Sequence, residues 1–141
     1  MFLLDVNMLI ALAWDDHVGH QAAHRWFVDN TQAGFATCHV TQSGFLRVSL
    51  QLYGASRRLT PQVAVQMLGS LTANGSHMFW EDGPVESTSD VWSVVRTHRQ
   101  ITDTNLFLIA RRNQGKLATF DGGIQSSLPR LQREWIEIVP N

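Results

Sequence analysis

Residues 2–13 read FLLDVNMLIALA, and this stretch decides the fold of the chain. Residues 2–6 form a short apolar run that a single acid, Asp5, interrupts. This run predicts a buried strand, and residues 8–14 behind it have the pattern of a helix. The chain therefore begins with a strand that leads directly into a helix.

The same alternation continues along the chain. Thr60 followed by Pro61 marks a helix start, because threonine caps helices and proline suits their first turn. The further predicted helices cover 20–28, 41–53, 60–73, 87–97 and 103–113, and the further predicted strands cover 35–39, 78–80, 117–120 and 135–139. Parallel strands need helical crossovers, so this order predicts an α/β fold, a three-layer α/β/α domain with a mostly parallel central sheet.

Length and composition limit the class of protein. The 141 residues suit one domain, 1–141, and 44% hydrophobic residues with 16% charged residues exclude a disordered chain. The net charge of −1 gives no general sign of nucleic-acid binding. The single cysteine, Cys38, excludes an intramolecular disulfide and is expected as a buried thiol. With no basic leader before Asp5, we expect a cytoplasmic protein without a membrane span.

Three aspartates occupy positions where a parallel sheet presents functional groups. Asp5 and Asp121 follow predicted strands, and Asp103 is expected to begin a helix. Each alone could be a turn or cap residue. Together, three acids at the mouths of β/α units supply the hard oxygen ligands that Mg²⁺ or Mn²⁺ requires.

Four segments carry a resemblance to a known family. They are LLDVNMLIAL at 3–12, HVTQSGFLRV at 39–48, ITDTNLFLIAR at 101–111 and LATFDGGI at 117–124. In this order they resemble the signature segments of PIN-domain, VapC-like toxins. The resemblance covers nearly the whole chain and implies a Mg²⁺- or Mn²⁺-dependent endoribonuclease that hydrolyses RNA phosphodiester bonds. It also implies a homodimer and a cognate VapB-like antitoxin.

The resemblance assigns roles to individual residues. Asp5, Asp103 and Asp121 match acids of the family's catalytic metal site, and Asn7 and Thr41 match polar positions that support it.

One position departs from the family pattern. Gln42 stands where many members carry glutamate, and an amide supplies no negative charge. This departure leaves open a non-catalytic PIN-like module that binds RNA or protein. Two other enzyme classes fit less well. An aspartate-nucleophile phosphatase would need an acid where Asn7 stands, and a receiver domain would need its lysine after a late strand, whereas Lys116 precedes one.

Arginines are candidates for contact with RNA or with an antitoxin. Arg47 lies little more than one helical turn beyond Gln42, and Arg57 and Arg58 are predicted in a loop. His17, His20 and His24 have the spacing of one helix face, which can bind a transition metal. The favoured interpretation of these histidines is that they are solvated or hydrogen-bonded locally.

Overall fold

The computed structural model describes residues 1–140 and contains a five-stranded sheet. The order is β3-β2-β1-β4-β5, and all four strand pairs are parallel. The strands are β1 (Phe2–Leu4), β2 (Phe35–Thr37), β3 (His77–Phe79), β4 (Lys116–Thr119) and β5 (Ile136–Ile138). The first strand of the chain is therefore central in the sheet, and groups that follow it lie at the middle of one edge.

In the described part of the chain, six α-helices connect the strands. They are α1 (Val6–Ala13), α2 (His20–Asn30), α3 (His39–Tyr53), α4 (Pro61–Thr72), α5 (Gln100–Arg112) and α6 (Gly123–Ser127). Short 3₁₀ helices cover Thr31–Ala33, Asp90–Val94 and Arg130–Trp135. Within residues 1–140, no helix is long and apolar enough to cross a membrane.

Two hydrophobic cores lie on opposite faces of the sheet, because successive strand residues point to opposite sides. Leu4 packs in a core with side chains of α1 to α4, whereas its neighbour Leu3 packs in a second core with side chains of α5 and α6. The buried residues of β4 divide in the same way, with Ala118 in the first core and Leu117 in the second. This arrangement confirms the predicted three-layer α/β/α fold, and the sheet is entirely parallel.

The helix predicted over 87–97 is wrong. That segment contains only the 3₁₀ turn Asp90–Val94, and Val95 is already extended. The local polar groups satisfy the backbone without a helix, since the Ser89 hydroxyl accepts the Val91 N–H and the Trp92 indole donates to the Glu86 carbonyl.

Two helices begin earlier than predicted. α5 begins at Gln100 rather than at 103, so Asp103 lies inside its first turn and does not cap it. α3 begins at His39, because the Asp82 carboxylate accepts the N–H groups of His39 at 2.8 Å and Val40 at 3.0 Å. These two donors have no partner within the helix itself. Asp82 comes from the loop after β3, more than forty residues away in sequence, and local patterns do not reveal such a partner.

Candidate active site

The three predicted acids lie at the carboxyl edge of the sheet. Asp5 directly follows β1, Asp121 lies two residues beyond β4, and Asp103 is in the first turn of α5. Since β1 and β4 are hydrogen-bonded neighbours, their ends present Asp5 and Asp121 side by side. This edge is where ligands bind in open parallel sheets.

Asp5 is the buried member of the group, with 6% of its surface exposed. It caps α1, and its Oδ1 accepts the Met8 N–H at 2.7 Å. Burial, with smaller contributions from the neighbouring charges of Asp103 and Asp121, raises the pKa of Asp5 to about 6. Hydrogen bonds from Thr119 and Met8 oppose this rise without cancelling it. A charged Asp5 is therefore costly in this environment.

Asp103 and Asp121 extend the negative charge toward solvent. Burial raises the pKa of the half-buried Asp103, and the charge of Asp121 adds to the shift. Asp121 is exposed, and its Oδ1 accepts the Gly123 N–H at 2.7 Å in a tight turn. Within residues 1–140, no lysine or arginine forms an ion pair with any of the three acids. The edge thus carries mutually repelling carboxylates without a compensating cation.

Thr119 connects two of these acids, and the sequence analysis missed it. It is the last residue of β4 and is 3% exposed. Its Oγ1 accepts the Asp121 N–H at 2.9 Å, and its side chain lies near enough to the Asp5 carboxyl to lower the pKa of that group. Because the acceptor side of the oxygen serves Asp121, the hydroxyl proton is available to Asp5. The only signal in the sequence is a hydroxyl residue at the end of a strand, two positions before an acid.

The chemistry of these donors suits a hard divalent cation, which binds carboxylate oxygens and relieves their repulsion. The side chains do not form a closed cage. Within residues 1–140, no three histidine, cysteine, aspartate or glutamate side chains come together as a group that could hold a metal ion. The residue types suit Mg²⁺ or Mn²⁺, which take carboxylate oxygens together with water or substrate phosphate, but the arrangement of these side chains does not by itself form a metal site.

The two predicted supporting residues differ in their surroundings. Asn7 is exposed in the first turn of α1, two residues after Asp5. Thr41 is fully buried, and its Oγ1 accepts the Cys38 N–H at 2.9 Å and donates to the Cys38 carbonyl at 3.1 Å. This contact fixes the start of α3. Cys38 is buried, as predicted.

Gln42 belongs to a hydrogen-bonded chain on the first core's side of the sheet. Its Nε2 donates to Thr37 Oγ1 at 2.9 Å, and that oxygen lies 2.8 Å from His77 Nε2. Burial lowers the pKa of His77, which favours the neutral ring that can accept the Thr37 proton. The amide group of Gln42 is therefore held by Thr37.

Arg57 is engaged within the chain. Its Nη2 lies 2.9 Å from Asp16 Oδ2 and 3.4 Å from Asp15 Oδ1. The guanidinium also stacks over Trp14 and Tyr53, with its central carbon 5.4 and 5.2 Å from the ring centroids. We call these five residues the Arg57 cluster.

Arg58 and Arg47 remain exposed. Arg58 follows α3, a helix of 15 residues that starts at the carboxyl edge of the sheet and spans about 22 Å. Arg57 and Arg58 therefore lie far from the acids, and Arg47 lies midway along α3. Contact of these three residues with RNA or an antitoxin stays a prediction.

The histidines bond locally, as the favoured interpretation predicted. His20 Nδ1 lies 2.8 Å from the Ala11 carbonyl, and His24 Nε2 lies 3.0 Å from the Leu12 carbonyl. His17 accepts a backbone N–H two residues further on. Two of the three therefore satisfy carbonyls at the C-terminal end of α1, which lack partners within the helix.

Comparison with known proteins identifies relatives across most of the chain. Ribonuclease VapC39 of Mycobacterium tuberculosis is 40% identical over 128 residues, which cover 89% of this chain and 91% of that protein. Ribonuclease VapC38 of the same organism is 40% identical over 124 residues, which cover 88% of this chain and 87% of that protein. No protein-family model matches the sequence.

A solved structure has the same fold. The crystal structure of M. tuberculosis VapC20, described as a toxin that cleaves the sarcin-ricin loop, superposes with a TM-score of 0.65 at 15% identity. The match covers 90% of this chain and 95% of that chain. The structural match supports the fold, and the sequence relatives, aligned over nearly their whole length, support membership. The chain belongs to the VapC family of ribonucleases.

Proposed function

We propose that this chain is a Mg²⁺- or Mn²⁺-dependent endoribonuclease that hydrolyses RNA phosphodiester bonds at Asp5, Asp103 and Asp121. The observation that carries the proposal is the uncompensated charge at this edge, where Asp5 is buried with a pKa of about 6 beside two further acids. A cation from outside the chain would stabilise this arrangement. The names of the relatives support RNA as the substrate.

The chain's own residues would hold and orient the cation. When bound, a divalent cation polarises a phosphoryl oxygen and lowers the pKa of a water that attacks phosphorus. The Met8 N–H fixes the orientation of the Asp5 carboxylate, and the nearby Thr119 hydroxyl favours its charged form. Asp103 adds charge from the rigid first turn of α5, and Asp121 adds charge at the solvent side.

We further propose that the nuclease is the toxin of a toxin–antitoxin pair, as the VapC relatives and the description of VapC20 support. The expected partner is a VapB-like antitoxin whose C-terminal segment brings an arginine to the acidic edge, because a guanidinium pairs closely with carboxylates. A homodimer is part of the proposal. A groove of about 490 Å³ beside α5, with Val85 and Ile101 exposed along it, supplies apolar surface for such contacts.

The test is cleavage of total RNA by purified protein that is folded and free of antitoxin. We expect cutting with Mg²⁺ or Mn²⁺ and none with EDTA. Asp5→Asn should lower the rate at least about 100-fold, since metal-ion stabilisation contributes several kcal/mol and each 1.36 kcal/mol is tenfold in rate. Asp16→Asn is the matched control, because it makes the same change in an aspartate of the Arg57 cluster, and it should retain the rate.

Two outcomes would contradict the proposal. Equal cutting with and without metal would exclude the metal-dependent mechanism. No cutting under any metal would favour the alternative, a non-catalytic PIN-like module that binds RNA or protein. That alternative has some support in Gln42, an amide that supplies no charge and donates to Thr37.

A further inference from the structure

A basic turn lies directly before α5. Residues 96–99 read RTHR, and Arg96, His98 and Arg99 are all exposed. This turn precedes the helix that carries Asp103. The net charge of the chain is −1 and the catalytic edge is acidic, so an RNA strand approaching that edge is repelled unless cations lie beside it.

Arg99 is placed one helical turn from Asp103. Its backbone is already helical, with φ −66° and ψ −28°, although the regular helix begins at Gln100. Residues four apart on a helix share one face, with their Cβ atoms about 5–6 Å apart. Arg99 therefore lies on the same face of α5 as Asp103, one turn further toward the N-terminus.

The guanidinium of Arg99 is uncommitted. Within residues 1–140 it forms no ion pair and no side-chain hydrogen bond, even with Asp103.

Several arginines make polar side-chain contacts within the fold, whereas Arg99, like Arg25, Arg47 and Arg58, makes none within residues 1–140. Arg57 and Arg111 pair with carboxylates, Arg112 donates to the carbonyls of Glu81 and Asp82, and Arg96 donates to the Ser93 carbonyl. The guanidinium groups of these arginines are therefore bound within the chain. Among the arginines without such contacts, Arg99 is the one that shares a helix face with Asp103.

The turn itself is held in place by one side chain. Gln100 Oε1 accepts the N–H groups of Arg96 at 2.7 Å and Thr97 at 3.2 Å. Its Nε2 donates to Ser127 Oγ at 3.1 Å, at the end of α6. Because α6 begins two residues after Asp121, this bond connects the basic turn to the segment that carries Asp121. Arg99 is thus presented at the rim of the acidic edge by a preorganised turn.

We infer that Arg99 binds a backbone phosphate of the RNA next to the one that is cut. The inference rests on the proposed function, since it takes RNA as the substrate of the acidic edge. Guanidinium contacts phosphate through two parallel hydrogen bonds, which gives orientation as well as attraction. Arg99 would therefore hold the strand in register with Asp103.

The experiment measures binding of a short fluorescein-labelled single-stranded RNA by fluorescence anisotropy, in Mg²⁺, with Asp5→Asn present to prevent cleavage. Arg99→Gln should weaken binding about tenfold, the size expected for a hydrogen bond to a charged group. It should also reduce the slope of log affinity against log salt by about 0.7, the value for one phosphate contact on a single strand. Arg99→Lys should retain the slope.

Arg25→Gln is the matched control, because Arg25 on α2 is exposed and has no ion pair in the part of the chain that the structure describes. It should change neither affinity nor slope. In the cleaving enzyme, Arg99→Gln should raise KM about tenfold and change kcat less than about threefold. Unchanged thermal midpoints will show that both variants fold.

Equal RNA affinity of the Arg99→Gln and Arg25→Gln proteins would overturn the inference, as would a failure of the Asp5→Asn protein to bind RNA at all. Unchanged RNA binding with weakened antitoxin capture would also overturn it and assign Arg99 to a protein contact. Failure of the proposed function would give a different result: the unmutated chain would show no metal-dependent cleavage. The binding measurement decides the role of Arg99 in either case.

Discussion

Aspartates stand at both ends of α1, and the two ends treat them in opposite ways. At the N-terminal end, burial and like charges raise the pKa of Asp5 to about 6. Beyond the C-terminal end, a hydrogen bond from the Tyr53 hydroxyl, with a contribution from Arg57, lowers the pKa of Asp16. One helix thus separates a carboxylate that the fold destabilises from one that it stabilises.

The difference between the two ends is that the acidic edge has no cation from the chain paired with its carboxylates. In the Arg57 cluster the chain supplies its own cation, so the acids serve to join α1 to the end of α3. At the carboxyl edge the chain supplies three acids and leaves Arg99 unpaired one turn away. Carboxyl groups whose pKa is raised by burial and by neighbouring acids are typical of functional rather than structural charge.

Asp5→Asn gives the largest stability effect expected from this comparison. A pKa of about 6 in the fold against 3.8 unfolded means that folding favours the protonated carboxyl. The metal-free wild type therefore loses stability as pH rises from about 4 to 6. Asparagine has no such loss, so the variant should be more stable by up to about 3 kcal/mol at pH 7.5, at 1.36 kcal/mol per unit. Urea unfolding in EDTA at several pH values measures this difference.

The same variant tests whether a cation reverses the effect. Mg²⁺ or Mn²⁺ should stabilise the wild type and leave Asp5→Asn nearly unchanged, because binding to the folded state raises its stability. A variant that is less stable than the wild type in EDTA at pH 7.5 would show that the charge of Asp5 is structural. The contrast between the two ends of α1 would then disappear.

Gln42→Glu adds an acid beside the carboxyl edge and is expected to act on His77. Glutamate cannot donate to Thr37, so the Thr37 hydroxyl must donate to the new carboxylate. His77 Nε2 then has to donate to Thr37, which favours the protonated ring. We expect the pKa of His77 to rise, as followed by NMR titration of its ring protons. Gln42→Asn is the neutral control, and an unchanged His77 titration in Gln42→Glu would contradict the hydrogen-bonded chain.

The sequence predicts the parts of this comparison that depend on local patterns. Asp5 and Asp121 follow from the ends of short apolar strands, and the α/β fold follows from the alternation of strands and helices. The start of α5 at Gln100 could not be predicted in this way. The Gln100 side chain accepts the N–H groups of Arg96 and Thr97, and a glutamine that does so cannot be distinguished in the sequence from one that faces solvent.

Contacts between segments that are distant in the sequence could not be predicted either. Arg57 pairs with Asp15 and Asp16 across about forty residues, whereas its sequence context made it only a candidate for contact with RNA or an antitoxin. Thr119 joins two acids only because β1 and β4 are neighbours in the sheet. Such pairings depend on how strands and helices cross, which spacing along the chain does not encode.

Arg57→Gln gives the smallest effect and tests the other end of α1. The loss of packing over Trp14 should cost about 0.5–1 kcal/mol, as for exposed cation–π contacts, and added salt should reduce the cost of the lost ion pairs. The lowered pKa of Asp16 stabilises the fold above about pH 4, and the Arg57 part of that stabilisation fades as pH falls through this range. The difference in the free energy of unfolding between wild type and variant should therefore become smaller at acidic pH.

Cleavage by Arg57→Gln should match that of Arg58→Gln, its exposed neighbour without an ion pair in residues 1–140. If Arg57→Gln instead raises KM for RNA, or weakens antitoxin binding while stability is unchanged, the Arg57 cluster is an interface. The cation of the cluster would then be shared with a partner, as we propose for Arg99. If Arg57→Gln lowers the free energy of unfolding by the same amount at every pH, Arg57 stabilises the fold through packing and not through its ion pairs. The reason is that only the ion pairs depend on the charge of Asp16.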